Sequence, residues 1–359
     1  DDVFPRLVHQ DRVIELDRSQ PEFVQTFPGY FSKRVTDWRT EKGKEMYAKH
    51  DKLLHKLSEK YGVPPHYLLA FWGLETNFGS YKGKMPVLDS LATLACDERR
   101  STYFTQEFLV AVKLMEREKL QKEDMIGSWA GAMGHTQFIP TTYLAYAADG
   151  TGDGKRDVWT SPQDALASTA NYLKVSGWQR GMPWGFEVVL PEGFDFGVAG
   201  LDQRALPARW RDRRLRAARA TTPAIEALAD GLGEMSLFLP SGHRGPAFLV
   251  TQNFRALLRY NTAPAYALAV GRLSERFDAA VPLVGDWPIG DRPLKPPEIF
   301  TLQRFLRKAG YLVGDIDGVA GRKTIGAIRA YQREAGLIAD GYPTPGLLTH
   351  LRQKNKLKN

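Results

Sequence analysis

Apolar residues recur at helical spacing through most of residues 40–175. The segments KGKEMYAKHDKLLHKLSEKYG (42–62), PHYLLAFWGLETNFG (65–79) and YFTQEFLVAVKLMEREKL (103–120) each predict a helix. Between 183 and 250 the pattern shifts to short β-like pieces, FEVVL (186–190) and AFLVT (247–251), separated by Gly and Pro. A small mixed α/β lobe is expected there. Near the C-terminus, LQRFLRKAG (302–310), TIGAIRAYQREAG (324–336) and PTPGLLTHL (343–351) predict a three-helix module. The intervening PLVGDWPIGDRPLKPP carries five prolines in residues 282–297, which interrupts helix and favours an extended linker. The pattern therefore predicts a mainly α (α+β) chain divided into residues 1–281, a linker at 282–297 and a module at 298–359.

Composition narrows the class. A chain of 359 residues with 43% apolar content is long enough for two domains with real cores, and excludes a collagen or a disordered tail. The formal charge of +8 favours an anionic partner without naming it, and no recognised nucleic-acid motif accompanies it. Six arginines within 209–219 contribute to that charge; a solvated helix face is the plain reading and contact with an anionic polymer the sharper one. The single cysteine, Cys96, excludes an intrachain disulfide and a multi-Cys zinc site, and the seven histidines form no HExxH arrangement. No run approaches the ~18 apolar residues of a membrane span, and the chain opens at Asp1 without a leader, so a mature or trimmed soluble product is expected.

One carboxylate stands out. Pro64 and Pro65 suit a helix start, and Leu68, Phe71, Trp72 and Glu75 then fall on one stripe. Glu75 shares that apolar face and sits near the helix end announced by Gly79, so burial and the negative end of the macrodipole both favour its protonated form. A protonated carboxylic acid is what glycosidic cleavage needs, because the departing sugar oxygen must receive a proton. On pattern alone, a salt-bridged or snorkelling glutamate is the plainer reading. The small residues of GSWAGAMGHTQFIPTTY (127–143) permit close backbone approach beside polar Gln137, although tight helix packing accounts for them as well.

GLETNFG (73–79), SWAGAMGHTQFIPTTY (128–143) and RYNTAPAYALAV (259–270), in that order, resemble the lytic murein transglycosylase B family in its soluble form. The resemblance implies a lysozyme-like helical catalytic lobe acting on the MurNAc–GlcNAc strands of peptidoglycan in the periplasm. It implies Glu75 as the single acid then base, and Ser128 as the serine that contacts both Glu75 and the substrate. Gln137, Tyr172, Tyr260, Asn261 and Tyr266 are implied to line the cleft. The expected reaction is non-hydrolytic: Glu75 protonates the bridging oxygen, and the C6 hydroxyl of the muramyl sugar closes on C1, leaving a 1,6-anhydromuramyl end. A water-using muramidase and an inactive wall-binding scaffold are the alternatives.

Two further segments carry expectations. DGTGDGKRD (149–157) presents Asp149, Thr151, Asp153, the Lys155 carbonyl and Asp157 in the order of an EF-hand opening. Position twelve is Thr160, not the usual glutamate, and the resemblance implies that Asp164 completes a structural calcium site. An Asx/Gly turn closed without metal fits the same residues, and the chemistry itself requires no cofactor. Residues 296–355, with GDIDGVAGRKTIGAIRAYQ at 314–332, resemble a peptidoglycan-binding module, in which Asp315, Asp317 and Gly318 form a tight loop and Thr324 caps the next helix.

Overall fold

The computed structural model describes residues 3–18, 27–219, 221–278, 282–288, 292 and 294–356. The expected end of the first domain at 279–281, positions 289–291 and 293 of the expected linker, and the final residues 357–359 lie outside the described residues. The chain is mostly helical and forms two compact units: residues 1–20, 34–181 and 256–281 in one, and residues 21–33, 182–255 and 282–359 in the other. Among the described residues, no helix is long and apolar enough to cross a membrane.

In the first unit the predicted helices appear with shifted ends. Helix Asp37–Tyr61 starts earlier than its apolar pattern because Thr36 caps it, accepting the Arg39 N–H at 3.2 Å, and Gly62 stops it at φ 78°. The second helix is Pro65–Thr76, not 65–79: Asn77, Phe78 and Gly79 take φ of 48°, 59° and 82° in succession, which a right-handed helix does not accommodate. The expected stripe is also corrected, since every residue from Tyr67 to Leu74 is buried. This helix is apolar all round because it lies inside the core. Helices Asp37–Tyr61, Pro162–Val175 and Pro264–Asp278 pack around it. Each large apolar side chain buried this way contributes about 1.5–3 kcal/mol, so the end of the helix, where Glu75 sits, is held by the core beneath it.

The second unit contains the expected mixed lobe. Its four-stranded antiparallel sheet runs Arg216–Ala217, Gly185–Val189, Ala247–Val250, Ser236–Phe238, and the two strands expected from sequence are direct neighbours, with Phe186 opposite Leu249. The arginine run is not one helix: a short helix, Pro207–Asp212, is followed by Arg214 at φ 58° and the edge strand Arg216–Ala217.

Three helices, Pro296–Lys308, Arg322–Glu334 and Pro345–Lys356, form the C-terminal part of this unit. Pro296 and Pro297, expected in the linker, open the first of them, where a missing N–H is tolerated. Thr324 does not cap the second. Gly321 occupies the cap, while Thr324 is buried and donates its hydroxyl to the Val313 carbonyl at 3.1 Å. Buried Gln303 ties the tight loop together, donating to Asp317 Oδ1 at 3.0 Å and accepting the Gly318 N–H at 2.9 Å. The expected tether also makes contacts within its own unit: the Val284 and Gly285 N–H groups donate to the Glu187 carboxylate at 2.9 and 2.7 Å.

Candidate active site

Glu75 lies on the last turn of the Pro65–Thr76 helix and is half-buried. Its Oε1 accepts the hydroxyl of Tyr266, which is buried on helix Pro264–Asp278. A hydroxyl donor stabilises the ionised form of a carboxyl group, so Tyr266 opposes the effects of burial and of the helix end. Tyr260 lies close by. Its ring stacks parallel to that of Tyr266 at 6.3 Å and packs on Phe71 at 4.4 Å, and its hydroxyl donates to the Thr136 carbonyl. Burial first, and the nearby Glu75 charge second, raise the Tyr260 hydroxyl well above its ordinary pKa. Tyr260 is therefore a neutral donor across the working pH range.

The glycine-rich segment meets the Glu75 helix through its backbone. A side chain at Gly134 would lie 2.3 Å from the Val158 carbonyl oxygen, so the close approach inferred from its small residues is real. Trp72 Nε1–H donates to His135 Nδ1 at 3.0 Å, and the buried Thr76 hydroxyl donates to the His135 carbonyl at 2.7 Å while accepting the Gly79 N–H at 3.0 Å. Burial, with a smaller effect of the Lys82 charge, lowers the His135 pKa to about 4, so it is neutral and free to accept from Trp72. Trp72 and Thr76 flank Glu75 in sequence, and their bonds fix the helix end from which Glu75 projects.

The structure unites most of the residues implied for the cleft. Tyr172 packs edge-on against Tyr260 at 5.1 Å and donates its hydroxyl to the Arg259 carbonyl at 2.6 Å. Gln137, adjacent to Thr136, takes φ 52° and donates to the carbonyls of Lys82 and Gly134 at 3.2 and 3.0 Å. Two residues make local bonds. Ser128 uses its hydroxyl to accept the Ala132 N–H at 3.0 Å, closing its own turn, while the hydroxyl bonded to Glu75 is that of Tyr266. Asn261 is exposed, and its Oδ1 accepts the Ala263 N–H at 3.0 Å just before helix Pro264–Asp278. Sequence reasoning missed Thr76, Thr136 and His135, although Thr76 stands beside Glu75 and the other two lie inside the glycine-rich motif.

The loop expected to hold calcium is closed by its own donors. Asp149 accepts the N–H groups of Gly152 and Gly154 at 2.6 and 2.8 Å, which holds its carboxyl below the usual range. Asp153 accepts the Lys155 N–H at 2.9 Å, and Thr151 donates to Asp149 at 3.0 Å. Asp157 accepts the Trp159 and Thr160 N–H groups, each at 2.9 Å. Buried Asp164 accepts the Gly150 and Asp157 N–H groups at 2.8 and 3.0 Å. Among the described residues, no three His, Cys, Asp or Glu side chains converge as metal ligands. The N–H bonds to Asp149 and Asp153 are those of an Asx/Gly turn.

Residues 1–275 match the family described as Transglycosylase SLT domain, and residues 295–351 match a peptidoglycan binding domain family. The membrane-bound lytic murein transglycosylase B of Escherichia coli is 32% identical over 254 residues, 68% of this chain; the match spans 66% of that protein's length. SltB3 from Pseudomonas aeruginosa, in complex with NAG-anhNAM-pentapeptide, superposes with a TM-score of 0.92 at 46% identity, covering 97% of this chain and 92% of that one. The Escherichia coli lytic transglycosylase Slt35 in complex with calcium gives a TM-score of 0.66 at 29% identity, covering 78% of this chain and 86% of that one.

Proposed function

The chain belongs to the Transglycosylase SLT domain family, and from that premise we propose that it is a lytic transglycosylase cleaving the β-1,4 MurNAc–GlcNAc bond of periplasmic peptidoglycan to leave 1,6-anhydromuramyl ends. The observation that carries the reading is the carboxyl group of Glu75, half-buried among Phe71, Tyr260 and Tyr266 and hydrogen-bonded by Tyr266.

In the reaction, Glu75 donates its proton to the bridging oxygen as the C1–O bond breaks, and the GlcNAc leaves with a free 4-hydroxyl. The resulting carboxylate then takes the proton of the muramyl C6 hydroxyl while that oxygen bonds to C1. One side chain therefore serves twice, and protons balance without water. Closure within one sugar gains an effective molarity of ~10⁵ M or more, which favours it over hydrolysis. The parallel Tyr260 and Tyr266 rings, packed on Phe71, buttress the carboxylate from the core side. Ser128, Gln137, Tyr172 and Asn261 are assigned to substrate contact. Residues 295–351 would hold the enzyme on the wall. Calcium has no place in this chemistry.

Mass spectrometry of digested sacculi tests the reading. Wild-type enzyme is expected to release anhydromuramyl products, and Glu75→Gln, which cannot move the proton, to lose at least about 10²- to 10⁴-fold in turnover at unchanged fold. Reducing-end muramic acid as the main product would make the chain a hydrolase, and a fully active Glu75→Gln would remove the central residue.

A further inference from the structure

The helix that carries Glu75 ends in a strained turn. Asn77, Phe78 and Gly79 all take left-handed backbone angles, and only the last is glycine. Such a run persists only where its surroundings impose it. The Asn77 N–H closes onto the Gly73 carbonyl at 3.2 Å and the Phe78 N–H onto the Trp72 carbonyl at 3.1 Å. The buried Phe78 ring folds back over Gly73, where a Cβ would lie 2.8 Å from it.

One side chain grips both sides of this turn. Arg39, half-buried on helix Asp37–Tyr61, donates its Nε–H to the Gly73 carbonyl at 3.1 Å and an Nη2–H to Asn77 Oδ1 at 2.8 Å. Gly73 and Asn77 stand two residues before and two residues after Glu75, so the guanidinium spans the turn from which that carboxyl projects. Its planar fork fixes two acceptors at once, which the point charge of a lysine does not. A cation here also complements the negative end of the helix dipole. Arg39 is itself held in place, since its Nη1–H donates to the Arg34 carbonyl at 3.1 Å and its backbone N–H to the capping Thr36 hydroxyl at 3.2 Å.

We propose that Arg39 is a positioning residue for Glu75, setting the place of the carboxyl group by clamping Gly73 and Asn77 rather than by acting on the sugar. The inference rests on Glu75 as the reacting group. Tyr266 holds the carboxyl from helix Pro264–Asp278, and Arg39 holds the turn beneath it from helix Asp37–Tyr61. A single carboxyl that first protonates the bridging oxygen and then takes the proton of the C6 hydroxyl must meet two oxygens of one sugar. A shift of the helix end therefore harms both steps and appears in turnover, not in glycan binding.

Steady-state kinetics of the full chain on soluble glycan strands, with thermal melts alongside, test this. Arg39→Met keeps the stem and removes the fork; kcat should fall about 10- to 100-fold while KM stays within about twofold. Arg39→Lys, which restores the charge without the fork, should recover only part of that loss. Asn77→Gly keeps the left-handed turn and deletes the Nη2 acceptor, so it should lower kcat severalfold at an unchanged melting temperature, and it stands as the check if Arg39→Met does not fold. The double variant Arg39→Met/Asn77→Gly should be no slower than Arg39→Met alone, because both act through one clamp. Wild-type kcat in Arg39→Lys or Asn77→Gly, a loss carried by KM, or losses that multiply in the double variant would overturn the proposal. Glu75→Gln assayed in parallel separates the two readings. If it is inactive beside an unimpaired Arg39→Met, the positioning role alone fails; if it is fully active, the reading of Glu75 falls and this one with it.

Discussion

Tyr266 donates its hydroxyl to Oε1 of Glu75 from 191 residues further along the chain. The bond joins the end of one buried helix to the start of another, and the two helices pack directly. Glu75 is therefore oriented by the core itself. Ser128 closes its own turn with Ala132, and the donor at Glu75 is a phenol held rigid by its ring contacts with Phe71 and Tyr260.

Tyr266→Phe should consequently lower kcat by about 10- to 100-fold, since a hydrogen bond to a charged group contributes about 1.5–3 kcal/mol. Phenylalanine preserves the ring packing, so the melting temperature should change little. Steady-state kinetics on soluble glycan strands provide the check. An unchanged kcat would mean that the bond is not used in the reaction.

The helices, the two central strands and the place of Glu75 near a helix end were legible because each rests on local signals: apolar period, Pro at a helix start, Gly at a helix end. What escaped is non-local. The Pro65–Thr76 helix reads as a stripe of apolar residues, yet its burial on all sides comes from three other helices that one segment cannot announce. That the Tyr266 hydroxyl bonds Glu75 is seen only once the two buried helices are packed together. Thr324 has the residue type of a cap, but Gln303 and Val313 draw it into the module core, where its hydroxyl has stronger partners. The arginine run likewise lacks a helix's length because Arg214 turns left-handed.

His135 should make the catalytic unit acid-sensitive. Its folded pKa, lowered to about 4, lies below the unfolded value near 6.5 because burial penalises the charged ring. The unfolded chain therefore binds a proton first as pH falls, and the stabilisation is complete above about pH 6.5 and declines between pH 6.5 and 4 by roughly 3 kcal/mol at most. His135→Gln keeps an acceptor for Trp72 without titrating. Urea unfolding at pH 7.5 and 4.5 should show a larger acid loss in wild type than in the variant; equal losses would show that the destabilisation comes from other groups.

If the loop N–H bonds of Asp149 and Asp164 serve in place of an ion, calcium should leave the melting temperature unchanged within about 1 °C. Thermal melts in millimolar calcium and in chelator measure this directly. A rise of several degrees that vanishes in Asp149→Asn would show that the loop rearranges around the ion.

Asp340 holds the three-helix module to the sheet lobe, so removing its carboxylate should loosen the one from the other. Burial alone would raise its pKa, but the donors from Tyr342, His243 and Gln332 together hold it below the ordinary carboxylate range. Its stabilisation is therefore full near neutrality and fades as pH falls below about 4. Asp340→Ala strands four donors at the junction, the His243 N–H and Nδ1–H, the Gln332 side-chain N–H and the Tyr342 N–H, an expected cost of about 2–4 kcal/mol to the docking. Limited proteolysis should then cut near Val284 and Gly285, whose N–H groups bond Glu187, faster than in the wild type. With the module only tethered, cleavage of soluble glycans should persist, and action on insoluble sacculi should fall several-fold as the fixed geometry at the wall is lost. Unchanged proteolysis would show that Arg329, which donates to the Ala199 carbonyl at 2.6 Å, and its neighbours suffice to hold the module, whereas equal losses on both substrates would mean that docking supports the catalytic unit itself.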